Sequence, residues 1–127
     1  MLIRLQLWDD VKSYKEKSKK DAALPAEEIV EKMLWSFYPI TSVNVPIYND
    51  FGFFLEQAGK YQESVTLLEQ VIKAVPTRTV AYVNLGDSYW GLNKTIEAAK
   101  CYKTYVDLMK KEGKEQKIPK VVLGRLK

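Results

Sequence analysis

The sequence predicts an all-α protein, an antiparallel helix-hairpin solenoid with two clear repeats and flanking capping helices. Three observations carry this expectation. The chain overlays on itself without a gap at a spacing of 34 residues, the distance from Gly52 to Gly86. Its apolar residues recur at three- and four-residue intervals, the mark of a helix with one buried face. Small residues stand in both copies where two helices would have to approach closely.

The two copies are residues 45–78 and 79–112. Tyr48 falls on Tyr82, Phe51 on Leu85, Leu55 on Tyr89, Ser64 on Ala98, Leu68 on Tyr102 and Ile72 on Val106. The apolar pattern is kept while surface residues differ, which is what a duplicated packing unit leaves behind.

Taken in order, residues 25–38 open with Pro25, Glu27 and Glu28, a favourable helix start. They place Ile29, Val30, Met33, Leu34 and Phe37 on one face. Residues 7–20 are a poorer helix partner, and 7–38 is expected to cap the first repeat, because a solenoid end must be covered. Pro46 suits a first helical turn, and Tyr48, Phe51, Gly52 and Leu55 then share a face. Gly59 is placed to end that helix in the left-handed conformation, as Asn93 is in the second copy. The second helices carry Tyr61, Val65, Leu68, Val71 and Ile72, and Ala98, Tyr102, Tyr105 and Leu108 or Met109. Pro76 interrupts the chain between copies. At the C-terminus, 113–127 is a capping segment or a tail: Pro119 is followed by Val121, Val122, Leu123 and Leu126, and both a short closing helix and a floppy end fit. One period beyond Gly86 the glycine slot holds Lys120, so no third repeat follows.

Gly52 and Gly86 lie mid-helix, where glycine costs about 1 kcal/mol relative to alanine. That cost is tolerable if the absent side chain admits a partner helix, for which Ser64 and Ala98 are the expected counterparts.

The length of 127 residues fits a single domain. With no histidine and one cysteine, the chain cannot build a Ser-His-Asp triad, a Cys-His pair, a His-ligated zinc or a disulfide framework. Catalysis is therefore disfavoured, and no catalytic residue, metal site or cofactor is assigned. The net charge of +4 is uneven. Residues 12–20 carry five Lys against one Glu, and 110–127 carry six Lys and Arg125 against two Glu, while 21–109 is net acidic. No run approaches the roughly 20 apolar residues of a membrane span. The opening residues are too short for a secretory signal, so a cytoplasmic origin is the default.

The joint spacing resembles the tetratricopeptide repeat, W-x2-L-G-x2-Y, then A-x3-F, then P, at a period of 34. The second copy has Tyr82-x2-Leu85-Gly86-x2-Tyr89 and Ala98-x3-Tyr102. The first has Tyr48-x2-Phe51-Gly52-x2-Leu55, Ser64-x3-Leu68 and Pro76. Tyr105 stands where the family has a small residue, and Lys110 where it has Pro. The resemblance implies a non-enzymatic interaction module, an adaptor or scaffold that binds a peptide segment or partner protein in the concave groove of the first helices. By register, that groove would hold Asn49, Asp50, Phe53, Glu56 and Gln57 from the first copy, and Val83, Asn84, Asp87 and Trp90 from the second. Asn84 could pair with both donor and acceptor of a ligand backbone. Phe53 and Trp90 could serve as apolar anchors, or could pack against the terminal helices and close the groove. Asn49 and Phe53 replace the Lys and Asn with which some family members clamp a chaperone's C-terminal carboxylate, so that ligand is disfavoured. The carboxylates of Asp50, Glu56 and Asp87 suit a basic or neutral partner.

The alternative is an RNA- or anionic-membrane-surface adaptor acting through the lysine-rich ends. Those ends lack interleaved aromatics and read first as solvated faces, so nucleic acid is disfavoured. Self-association through a stackable apolar end is a variant of the interaction reading. Cys101, beside Lys100, is read as a small apolar filler or surface thiol, with a lowered thiol pKa as the alternative.

Overall fold

From residue 45 onward the chain alternates helix and tight turn. The computed structural model describes residues 39–127, together with Ser13, Glu16 and Lys17, which are helical and exposed. The expected capping pair at 7–38 therefore lies outside the described residues, those three apart. The helices are α1 (Val45–Gln57), α2 (Tyr61–Ala74), α3 (Thr79–Gly91), α4 (Thr95–Lys111) and α5 (Lys120–Arg125), with a 3₁₀ turn at Glu115–Lys117 before α5. No strand occurs among the described residues. Each of the first four helices packs on the next, and α1 also reaches α3. This is a helix-hairpin solenoid.

The turns follow from local chemistry. Pro46 sits in the first turn of α1, where its missing N–H leaves nothing unsatisfied. Gly59 (φ +77°) and Asn93 (φ +61°) are left-handed. Around them Lys60 N–H donates to Leu55 O at 2.8 Å and Lys94 N–H to Tyr89 O at 2.9 Å, the long closing bond of a Schellman cap. Glu63 and Glu97 stand in the first turns of α2 and α4, where a carboxylate favours the exposed N–H groups. Val75, before Pro76, leaves the helical region (φ −134°, ψ +78°) as a residue preceding proline must. Lys110 replaces that proline in the second copy, and α4 accordingly runs for 17 residues against 14 for α2.

The core is continuous. Tyr48, Phe51 and Leu55 of α1 meet Leu67 and Val71 of α2 and Ala81 of α3. Val65 and Leu68 of α2 meet Leu85 of α3. Ala98, Tyr102, Tyr105, Val106 and Met109 of α4 receive Ile118 and Val122. Leu67 and Val106 extend the buried surface beyond the single faces read from periodicity. α2 lies between α1 and α3, so it buries two stripes, and one-face periodicity finds only one of them. Of the two candidates near the end of α4, Met109 is buried and Leu108 half-buried.

The glycine pairing needs a correction. A Cβ on Gly52 would lie 2.5 Å from Leu68 Cδ2, and one on Gly86 would lie 2.7 Å from Tyr102 Cε1. The vacated space is filled by the large residues sixteen positions on, not by Ser64 and Ala98. Ser64 does touch the glycine's backbone, its Oγ donating to Gly52 O at 2.7 Å.

Candidate functional site: the inner face of α1 and α3

Of the nine sequence-predicted groove residues, Asp50, Phe53 and Gln57 of α1 are exposed, while Asn49 and Glu56 of α1 and all four on α3 are buried or half-buried. Asn49 is buried (2% exposed), and its Oδ1 has no hydrogen-bond partner among the described residues. Asp50 and Gln57 are exposed. Phe53 is 45% exposed, an uncommon position for a phenylalanine. Glu56 is half-buried and accepts a hydrogen bond from Gln57 Nε2 at 2.6 Å. Burial is the main reason its carboxyl lies above the ordinary range; the Gln57 bond opposes this, the Asp87 charge adds to it and the Arg125 charge opposes it. Those two charges tie the end of α1 electrostatically to α3 and α5.

On α3, Val83 packs against the α4–α5 core. Asn84 is buried, and its backbone carbonyl accepts a bond from Ser88 Oγ at 2.9 Å. Asp87 pairs with Arg125 at 3.2 Å and accepts the Tyr102 hydroxyl at 2.6 Å. Trp90 is half-buried beneath Arg125, whose guanidinium carbon lies 4.6 Å from its ring centroid, within cation–π range. Arg125 Nη1 also donates to Tyr102 Oη at 2.7 Å. The C-terminal segment is thus a closing helix on the last hairpin, and the two candidate aromatic anchors part company: Phe53 is open, and Trp90 is covered.

Sequence reading missed Arg125, Ser88 and the Tyr102 hydroxyl. Arg125 belongs by composition to a basic end of the chain, yet as the one arginine among the seven cations of 110–127 it is the residue suited to planar, multidentate contact. Ser88 Oγ lies 2.8 Å from Ser64 Oγ. Two hydroxyl protons there serve three contacts, to Gly52 O, to Asn84 O and to each other, and the network joins α1, α2 and α3.

The lysines of the C-terminal end are exposed, with loose pairs at Lys110–Glu115 (3.9 Å) and Lys114–Glu112 (3.8 Å). Cys101 is half-buried, and burial, reinforced by the charges of Glu69 and Glu97, pushes its thiol up to about 12. This is the opposite of the lowered pKa weighed from the neighbouring Lys100, because burial first and the Glu69 and Glu97 charges second disfavour the thiolate. Among the described residues, no group of three or more His, Cys, Asp or Glu side chains is placed to hold a metal ion. No helix among them is long and apolar enough to cross a membrane.

Compared with known families, residues 80–111 match the model of the tetratricopeptide repeat. No curated protein matches the chain.

Proposed function

We propose that the chain, whose residues 80–111 match the tetratricopeptide repeat, a protein-interaction repeat, is a non-enzymatic adaptor holding a peptide segment of a partner protein against the inner face of α1 and α3. The observation that carries the reading is Phe53, a large aromatic ring left open on α1 and flanked by the exposed polar groups of Asp50 and Gln57. An aromatic anchor within a polar rim is the common make-up of an interface centre. The helices beneath it are held by a packed core and by the Ser64–Ser88 link, so the scaffold gives up little freedom on binding. Asp50 and Glu56 favour a basic or neutral segment.

Affinity capture from the native source, run in parallel with wild type, a Phe53→Ala/Asn84→Ala variant and an Ile96→Ala control, tests this. Ile96 is 71% exposed and lies at the start of α4, away from the proposed face. Partners retained by wild type and the control but lost by the double variant support the inner face. Equal recovery by all three baits refutes it.

A further inference from the structure

Arg125 comes from a helix of only six residues. Within α5, Val122 alone is fully buried, while Val121 and Leu123 are exposed. Its apolar hold is narrow, Val122 within the helix with Ile118 before it and Leu126 after it against the α4 core, each worth about 25 cal/mol per Å² of buried apolar surface. Yet its arginine makes the most specific polar contacts of the segment: the ring of Trp90 at 4.6 Å, Asp87 Oδ1 at 3.2 Å and Tyr102 Oη at 2.7 Å. A π-face, a carboxylate and a hydroxyl acceptor in one place are the groups that recognise a guanidinium. Asp87 and Trp90 are also two of the α3 positions that register assigns to the groove, which puts the cluster at the end of the proposed partner-binding face.

We propose that Trp90, Asp87 and Tyr102 form a guanidinium subsite at the α5 end of that face, that Arg125 is its intramolecular occupant, and that an arginine side chain of a partner's basic peptide segment competes with Arg125 for it. The inference deepens the adaptor reading and rests on it for the identity of the partner. When α5 lifts, Asp87 and Tyr102 lose their guanidinium partner and the Trp90 face is bared. An incoming arginine restores both interactions. α5 then sets the threshold for binding, because apparent affinity is reduced by the fraction of molecules in which the subsite is free.

The test uses the tripeptide Ac-Ala-Arg-Ala-NH2 and its uncharged citrulline counterpart, titrated into the full chain and followed by heteronuclear NMR shifts of the Asp87 amide and the Trp90 indole. Arg125→Ala is expected to bind the arginine peptide at least about tenfold more tightly than wild type, as removal of a competitor populating the closed state ten to one requires. The citrulline peptide should not bind, and adding Trp90→Ala to Arg125→Ala should return affinity to the wild-type level or below. Equal affinity of wild type and Arg125→Ala overturns the proposal. So does binding that survives loss of Trp90, which would reflect net charge alone. If Arg125→Ala loses helicity by far-UV circular dichroism, Arg125→Gln keeps most of the side-chain stem and carries the same comparison. The two readings fail separately. Partners indifferent to Phe53 and Asn84 refute the adaptor face whatever the tripeptide does, and a silent tripeptide refutes only the subsite.

Discussion

The ring of Tyr102 occupies the space that a side chain on Gly86 would need, with Cε1 only 2.7 Å from a Cβ placed there. Its hydroxyl is held by Asp87 and Arg125, so the ring cannot swing aside without breaking both bonds. In the first hairpin Leu68 fills the corresponding space over Gly52, but its side chain carries no polar tether.

Gly86→Ala is therefore expected to cost more stability than Gly52→Ala. Alanine recovers about 1 kcal/mol of helix propensity, against an overpacking cost of about 1–3 kcal/mol. The net loss should reach roughly 2 kcal/mol at Gly86 and stay near or below about 1 kcal/mol at Gly52. Urea denaturation of both variants gives the comparison, and the reverse order would refute the tether.

The Ser64–Ser88 pair should behave as a unit. Either serine alone can still satisfy itself on a backbone carbonyl, Ser64 on Gly52 O or Ser88 on Asn84 O. Each single change to alanine is expected to cost about 1 kcal/mol, the net worth of one hydrogen bond. The Ser64→Ala/Ser88→Ala double variant should cost clearly less than the two singles together, and a double-mutant cycle measures the difference.

Glu56 gives stability a pH dependence of known sign. Its carboxyl titrates above the ordinary value of 4.5, chiefly through burial, so folding favours the protonated form. That favourable contribution is complete below the ordinary Glu pKa and disappears as pH rises through the raised one. Glu56→Gln, which cannot ionise, should raise the thermal midpoint near neutral pH and lose that advantage below about pH 4. An advantage that persists at acid pH would assign the effect to packing.

Cys101 should be a poor nucleophile. With its thiol moved from 9.0 to about 12, little thiolate exists near neutrality. Alkylation by iodoacetamide at mildly alkaline pH is expected to be more than about tenfold slower in the folded chain than in urea, because the thiolate is the reacting species. Rapid labelling of the folded chain would contradict the environment set by Glu69, Glu97 and burial.

What sequence made legible, and what it did not, divides along the Tyr102 contacts. That Gly86 and Tyr102 matter is visible from the register with Gly52 and Leu68. That they meet each other was not, since Ala98 had been the expected counterpart of Gly86. Small residues suggest a close approach, but the angle between paired helices decides which neighbour enters the gap. The inner face shows the same division. Phe53 and Trp90 are aromatic groove positions of similar promise in one dimension, yet one is open and the other lies under Arg125.

By itself, the order of residues determined the helices and their ends, the left-handed Gly59 and Asn93, the break at Pro76 and the 34-residue recurrence of the buried face. Each of these is set by steric and hydrogen-bonding rules acting over at most a few turns of chain. Only the tertiary structure decided that Asp87, Tyr102 and Arg125, up to 38 positions apart, share one hydrogen-bonded cluster. The same holds for Ser64 and Ser88, which meet across 24 positions. Such meetings depend on how far each hairpin turns relative to the last and on where α5 lands. Those quantities are fixed by the summed packing of the core, not by any local pattern.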